Sequence, residues 1–302
     1  MSHLEKRQAE FGEVVLERFA PDRPHEGKVL AAIQAHADDI PLFCGGTVAK
    51  LVDEGYTGYL IQTTNDEKCG PTTSIGETIL SNEREVDDLA EALGLEDVIN
   101  LGYRNHRLDG ASPLELRSRL ILLFRGLKID TVFTFNPWGH NETNPDHRVT
   151  GEAVEAACWM AGMNKDYPEQ LIAGIEPHRV RQKYYWTIRP GQPYNRVVDI
   201  SGHMERKIAS LSVNKSQGPA GSQGSHLKAR LAQQGLRLPA LGDDEETADH
   251  EYIKLFCLKA ESALGAEYGC EYAERFYCVP NTIDTRPSHI QDYIDQNAEP
   301  VE

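Results

Sequence analysis

The sequence predicts an α/β protein built on a doubly wound, mainly parallel sheet with helices on both faces. Three observations carry that prediction. Apolar runs of strand length alternate with helical patterns from Lys28 past Thr150. Glycines and a Ser-Pro pair stand where those helices should begin or end. The segments richest in ligand-type side chains fall directly after strands. Alternation of this kind gives parallel sheets, and ligands of such sheets bind beyond the carboxyl ends of the strands.

The elements follow in order. Residues 1–26 read as a polar helical extension ending at Pro21 and Pro24. Lys28–Ala35 is an apolar run typical of a buried parallel strand. Gly45-Gly46 opens a helix that Gly55 closes, and Thr57–Thr64 is the second strand. Glu77–Leu93 is an amphipathic helix stopped by Gly94. Asp97–Leu101 is a short strand. Ser112-Pro113 caps a helix running to Gly126, Thr131–Phe135 is a strand, and helix follows from Thr150. Further strands are expected at Lys183–Ile188, Asn195–Ile200 and Tyr272–Val279, with helices at Ser201–Val213 and Asp244–Leu264. Residues 27–280 are read as a single domain and 281–302 as a polar tail. Within the domain, 214–243, rich in Gly, Gln and Ser, is a loop or lid broken by a short helix.

Composition narrows the function. A net charge of −16 argues against a nucleic-acid footprint or an anionic membrane surface. No run approaches the roughly 18 apolar residues of a membrane span. The charged N-terminal stretch lacks the apolar core of a signal peptide, so a cytoplasmic enzyme acting on a small molecule is expected. Six cysteines without a CxxC pair read as reduced thiols rather than a zinc site.

Two segments carry candidate chemistry. Ala35-His36-Ala37-Asp38-Asp39 follows the first buried strand. Imidazole and carboxylate suit a borderline divalent metal such as zinc, and a tight turn can aim His36 and Asp39 at one ion. Asp38 would project beside them as a base. Alone, this run would serve equally as a helix cap or a plain turn. Asn144-Pro145-Asp146-His147, after another strand of the same sheet, favours a metal by offering His147 as third ligand, with Asp146 able to orient a ring. Asp66 and Glu67, at the second strand's end, are placed to meet a substrate. Arg84 reads equally as a substrate contact or a surface helix residue, Trp138 as a sugar platform or a loop anchor. His106 and His203 read as ordinary histidines.

The sequence resembles the PIG-L/LmbE-like deacetylases. Ala35–Asp39 is similar to their AHPDD signature, Gly45-Gly46-Thr47 to the GGT opening the first helix, and Arg84-Glu85 to the start of the long helix. Leu93-Gly94, Leu101-Gly102-Tyr103, Pro137-Trp138-Gly139, Pro145–Arg148, Lys215-Ser216-Gln217 and Tyr272-Ala273-Glu274 match later landmarks in order. The resemblance spans roughly 27–280. It implies a Rossmann-like fold, zinc (or another divalent metal) on His36, Asp39 and His147, and Asp38 as general base. The implied reaction is hydrolysis of an N-acetyl amide on a sugar-like substrate, with release of acetate. Symmetric self-association is the default expectation for such a chain.

Four positions depart from the family pattern. Ala37 replaces the proline of AHPDD. Asn144 stands where a histidine is expected to stabilise the oxyanion or protonate the leaving amine, and an amide cannot supply that proton. His140, on the same loop, is the candidate substitute. Asn214 replaces a later histidine, and Asn105, placed at the substrate, replaces an acid. The alternatives are a metal- or sugar-binding relative with weak or lost catalysis, and a nucleotide binder, which the missing GxGxxG disfavours.

Overall fold

The computed structural model describes residues 14–279 and 288–300. Its strands are β1 (Val15–Glu17), β2 (Val29–Gln34), β3 (Thr57–Thr64), β4 (Asp97–Tyr103), β5 (Thr131–Phe135), β6 (Gln182–Trp186), β7 (Arg196–Asp199) and β8 (Ala273–Cys278). They form one sheet in the order β1-β7-β8-β6-β5-β2-β3-β4. The strands from β6 through β5, β2 and β3 to β4 run parallel, whereas β8 is antiparallel to β6 and β7.

Period-two alternation explains the two covered faces. In β2, Leu30 and Ala32 enter one core while Ala31 and Ile33 enter the other. The first core receives α2 (Gly45–Asp53), α3 (Ile75–Leu93) and α7 (Met204–Ser212). The second receives α4 (Pro113–Gly126) and α5 (Pro145–Ala161). Between β2 and α2 lies a short helix, α1 (Asp39–Phe43); α6 (Pro168–Ile172) precedes β6. The last quarter adds α8 (Gln223–Gln233), α9 (Glu245–Tyr252), α10 (Lys259–Tyr268) and α11 (Ser288–Asn297).

Several readings change. Within the supposed helical extension, Val15–Glu17 is a strand pairing with Arg196–Val198, because an edge of the sheet offers it backbone partners; residues 1–13 lie outside the described residues. The helix expected from Thr150 starts at Pro145, capped by the Asn144 side chain, which accepts from Asp146 N–H. The helix expected at Asp244–Leu264 is interrupted by a π-helical turn at Ile253–Cys257. All six cysteines are free thiols. Among the described residues, no helix is long and apolar enough to cross a membrane.

Candidate metal centre

The centre forms where β2 and β5 end side by side. His36 leaves β2 into a turn, Asp39 opens α1, and His147 sits in the first turn of α5. The Asp39 carboxylate is pinned by its own turn: Oδ2 accepts from Ala35 N–H at 3.1 Å and His36 N–H at 2.8 Å. His147 lies flat against Phe135, with ring centroids 4.1 Å apart. All three side chains are buried.

Their donor atoms converge. His36 Nδ1 is 3.0 Å from His147 Nε2. Asp39 Oδ1 is 3.3 Å from His147 Nε2, and Oδ2 is 3.7 Å from His36 Nδ1. Ligands about 2.0–2.1 Å from a tetrahedral zinc stand roughly 3.4 Å from one another, so the cluster has the dimensions of such a site.

Tautomers make the same point. His36 Nε2 faces Asp146 Oδ2 at 3.3 Å, which places its proton there and leaves Nδ1 as a lone pair. His147 Nδ1 is 3.4 Å from Glu142 Oε1, without the alignment of a hydrogen bond. The acid on that side favours the proton on Nδ1 and the lone pair on Nε2. Two imidazole lone pairs and a carboxylate then face one another, an arrangement that repels unless a proton or cation sits between them. The residues present therefore fit a divalent metal.

Electrostatics agree. Burial alone would lower the His36 pKa, but the hydrogen bond to Asp146 and the carboxylates of Asp39, Asp66 and Asp38 raise it to about 9. Asp38, half-buried on the same turn, is raised to about 7 by burial and then by Asp39 and Asp66, against the pull of His36. Asp146 stays below the usual carboxylate range despite burial. It accepts from His36 and from the backbone N–H groups of His106 and Leu108, at 2.6 and 3.1 Å for the latter two.

The other expected site residues separate into two groups. Asp38, Asn144 and Asp146 belong to the cluster, although Asp146 orients His36 rather than its neighbour His147. His140 is exposed on the β5–α5 loop, its carbonyl held by Gln192 at 2.8 Å. Trp138, on that loop, is 54 % exposed. Arg84 stands on the exposed face of α3, and no contact of the cluster involves it. Asp66 and Asn105 are both fully buried and bonded to each other at 3.2 Å. They shape the turns beneath the centre. Glu67 is spent on Arg104, at 2.9 Å.

Sequence reasoning missed three participants. Glu142 lies behind His147; an acid in a strand-end loop was the available signal. The His106 ring stands 6.2 Å from that of His36, at φ +57°, with nothing in the local sequence to announce it. Residues 214–218, assigned to a loop or lid, pack onto the turn itself. Asn214 Nδ2 donates to Ala37 O at 3.0 Å, Gln217 Nε2 donates to Asp66 at 2.8 Å, and Gly218 leaves no room for a Cβ beside Asp38.

An α/β sheet with a His–Asp–His cluster and a neighbouring carboxylate at its strand ends has the make-up of a metal-dependent enzyme. Residues 31–158 match the family model PIG-L, described as GlcNAc-PI de-N-acetylase. The diacetylchitobiose deacetylase of Thermococcus kodakarensis is 32% identical over 197 residues, covering 64% of this chain and 71% of that protein. A probable N-acetyl-alpha-D-glucosaminyl L-malate deacetylase 2 of Bacillus cereus is 24% identical over 207 residues, covering 65% and 86%. The structure of the N,N'-diacetylchitobiose deacetylase from Pyrococcus horikoshii superposes with a TM-score of 0.67 at 23% identity, over 89% of this chain and 90% of that one. The chain belongs to the PIG-L family of metal-dependent deacetylases, hydrolases of amide C–N bonds.

Proposed function

We propose that this chain is a zinc-dependent N-deacetylase of a small N-acetylated amino sugar, with His36, Asp39 and His147 as the zinc ligands. The observation that carries the reading is the convergence of three lone-pair donors beside Asp38. The curated relatives, whose names specify N-acetylated amino sugars, support the substrate class.

When bound, zinc supplies Lewis acidity to the amide carbonyl and lowers the pKa of the attacking water. The protein does the rest. Asp38 accepts a proton from the water as its oxygen attacks the acetyl carbon, a role matched to its place beside the three ligands. Asp146 holds His36 in the tautomer that leaves Nδ1 as a donor. Asn144 uses Oδ1 to cap α5, and its amide N–H2 is free of that bond to donate to the developing oxyanion. His140 delivers a proton to the leaving amine. The C–N bond breaks, and acetate and a free amine result. Trp138 offers its exposed face to the sugar ring.

The test is acetate release from N-acetylglucosamine, its disaccharide and other N-acyl amines by zinc-loaded protein. Chelation should abolish release and zinc should restore it. Asp38→Asn should retain one zinc and lose about 10²–10⁴ in rate, the usual worth of a general base. Activity that survives in chelator, or an Asp38→Asn enzyme of unchanged rate, would overturn the assignment.

A further inference from the structure

One face of α3 carries three polar side chains within a single turn: Ser81, Asn82 and Glu85. Residues three and four apart on a helix are surface neighbours, so Glu85 stands beside both of the others. Asn82 and Glu85 are buried. Asn82 holds the loop after β3, donating from Nδ2 to Asp66 O at 3.2 Å and to Cys69 O at 2.8 Å. Glu85 holds residues 214–218, a segment without helix or strand. Its Oε1 accepts from Ser216 Oγ at 2.7 Å, and both carboxylate oxygens stand 3.0 Å from Ser216 N. The Ser216 hydroxyl has one proton and gives it to Glu85, so Ser81 is the donor in its 2.9 Å contact with Ser216 Oγ. Hydrogen bonds to an ionised acceptor are the stronger kind. A buried carboxylate deprived of them would bear its desolvation cost alone.

The same short segment grips the turn of the metal centre. Asn214 donates to Ala37 O, and Gln217 donates to Asp66 Oδ2, the acceptor for Ala37 N–H. Gly218 comes close enough that a Cβ on it would stand 3.1 Å from Asp38 Oδ2. Ser216 lies between these grips and ties the segment to the helix. The Asp38 side chain does not cap α1, so its place depends on what packs against it. Asp39 differs, because the N–H groups of Ala35 and His36 anchor it within its own turn.

We propose that Glu85 is a positioning residue for the hydrolysis: by binding Ser216 it seats 214–218 on the turn and fixes where the Asp38 carboxylate stands. The proposal rests on the reading of Asp38 as the base. Among the described residues, the hydrogen bonds of the Glu85 carboxylate all come from Ser216, so Glu85 acts through that residue and Gly218. Loss of this clasp strikes the base and spares the ligands. A base displaced by about 1 Å loses on the order of 10² in rate.

The experiment compares zinc-loaded wild type, Glu85→Ala, Ser216→Ala and the double variant in acetate release from N-acetylglucosamine or its disaccharide. In Glu85→Ala kcat should fall about 10²-fold, while KM and zinc per chain hold. Ser216→Ala removes the hydroxyl but keeps the backbone N–H, so it should lose less. The double variant should be no slower than Glu85→Ala, because both changes cut one contact. A purely structural role would lower Tm and leave kcat per bound zinc unchanged, and that result overturns the proposal. Losses that multiply in the double variant overturn it as well. If Glu85→Ala does not fold, Ser216→Ala decides: a lower kcat with zinc retained supports the clasp, and a wild-type kcat overturns it. If wild type releases no acetate from any N-acyl amine tried, the deacetylase reading fails, and amide hydrogen exchange in Glu85→Ala judges the clasp. Faster exchange in both 214–218 and 36–39 supports it; unchanged exchange in 36–39 overturns it.

Discussion

The backbone N–H of Ala37 donates to Asp66 Oδ2 at 2.7 Å, a bond that the proline of the family signature could not make. The exchange at position 37 therefore adds an interaction rather than only loosening a turn. Asp66 is fully buried and its pKa is raised to about 6, chiefly by burial, so its carboxylate depends on every donor it has. The others are Gln62, Gln217 and Asn105. Ala37→Pro, which restores the signature, should destabilise the protein. Loss of a donor to a buried acid costs about 1–3 kcal/mol, more than the roughly 0.4–1 kcal/mol proline gains by stiffening the unfolded chain. Denaturant unfolding measures this, and a variant at least as stable as the parent would refute it.

Gly218 is a second point of support. It holds φ +83°, and a Cβ there would stand 3.1 Å from both Cβ and Oδ2 of Asp38. Gly218→Ala meets a left-handed backbone, costing about 1–2 kcal/mol, and also displaces the Asp38 carboxylate. A misplacement near 1 Å costs on the order of 10² in rate. Zinc content should hold while kcat falls by about that factor. Equal loss of zinc and of activity would instead make the effect a general one on the turn.

Most of the fold was legible because hydrophobic period and helix punctuation report it directly. Thr57–Thr64, Thr131–Phe135 and the Ser112-capped helix from Pro113 to Gly126 stand where the sequence put them. Strand β1 was missed because three residues at a sheet edge carry almost no periodic signal. At the site, His36, Asp39 and His147 were legible because ligand-type residues at strand ends are few. The burial of Asp66 and Asn105 was not legible because it is a tertiary fact: Gln217, 151 positions beyond Asp66, closes over it. His106 escaped because only Asp146, accepting from its backbone N–H, brings its ring toward His36.

Metal affinity should rise with pH. In the metal-free chain His36 is raised to about 9, so its contribution to stability is fully present below its unfolded value near 6.5 and is lost as pH rises through about 9. Asp38 and Asp66 are raised to about 7 and about 6. Their burdens are absent below the unfolded carboxylate value near 4, build up between it and the folded values, and are complete above them. All three make the metal-free cluster less favourable as pH rises, and a cation relieves each. Binding must expel the His36 proton, so affinity should increase about tenfold per pH unit below 9. Chelator-buffered zinc titrations at about pH 6.5 and 8.5, followed by Tm, check this. A zinc-induced shift equal at both values would show that His36 carries no proton before binding.

Asp146→Asn probes the hydrogen bond to His36. Oδ2 accepts from His36 and from His106 N–H while Oδ1 accepts from Leu108 N–H, so asparagine, with one oxygen, keeps an acceptor on one side only and weakens the contact that fixes the imidazole tautomer. Loss of such a partner typically lowers metal affinity about 10–100-fold, so zinc should dissociate at correspondingly lower chelator concentration.

Protonation of the leaving amine falls to His140 if Asn144 is confined to capping α5 and donating an amide N–H. A general acid must hold its proton within reach of the leaving nitrogen. His140→Ala should lower kcat about 10²–10⁴-fold. His106→Ala is the control, because its ring is exposed and 6.2 Å from that of His36. A rate loss in His106→Ala with a wild-type rate in His140→Ala would transfer the role to His106. The backbone bond of His106 to Asp146 survives its truncation, so zinc content should be equal in the two variants and the comparison reads the acid alone.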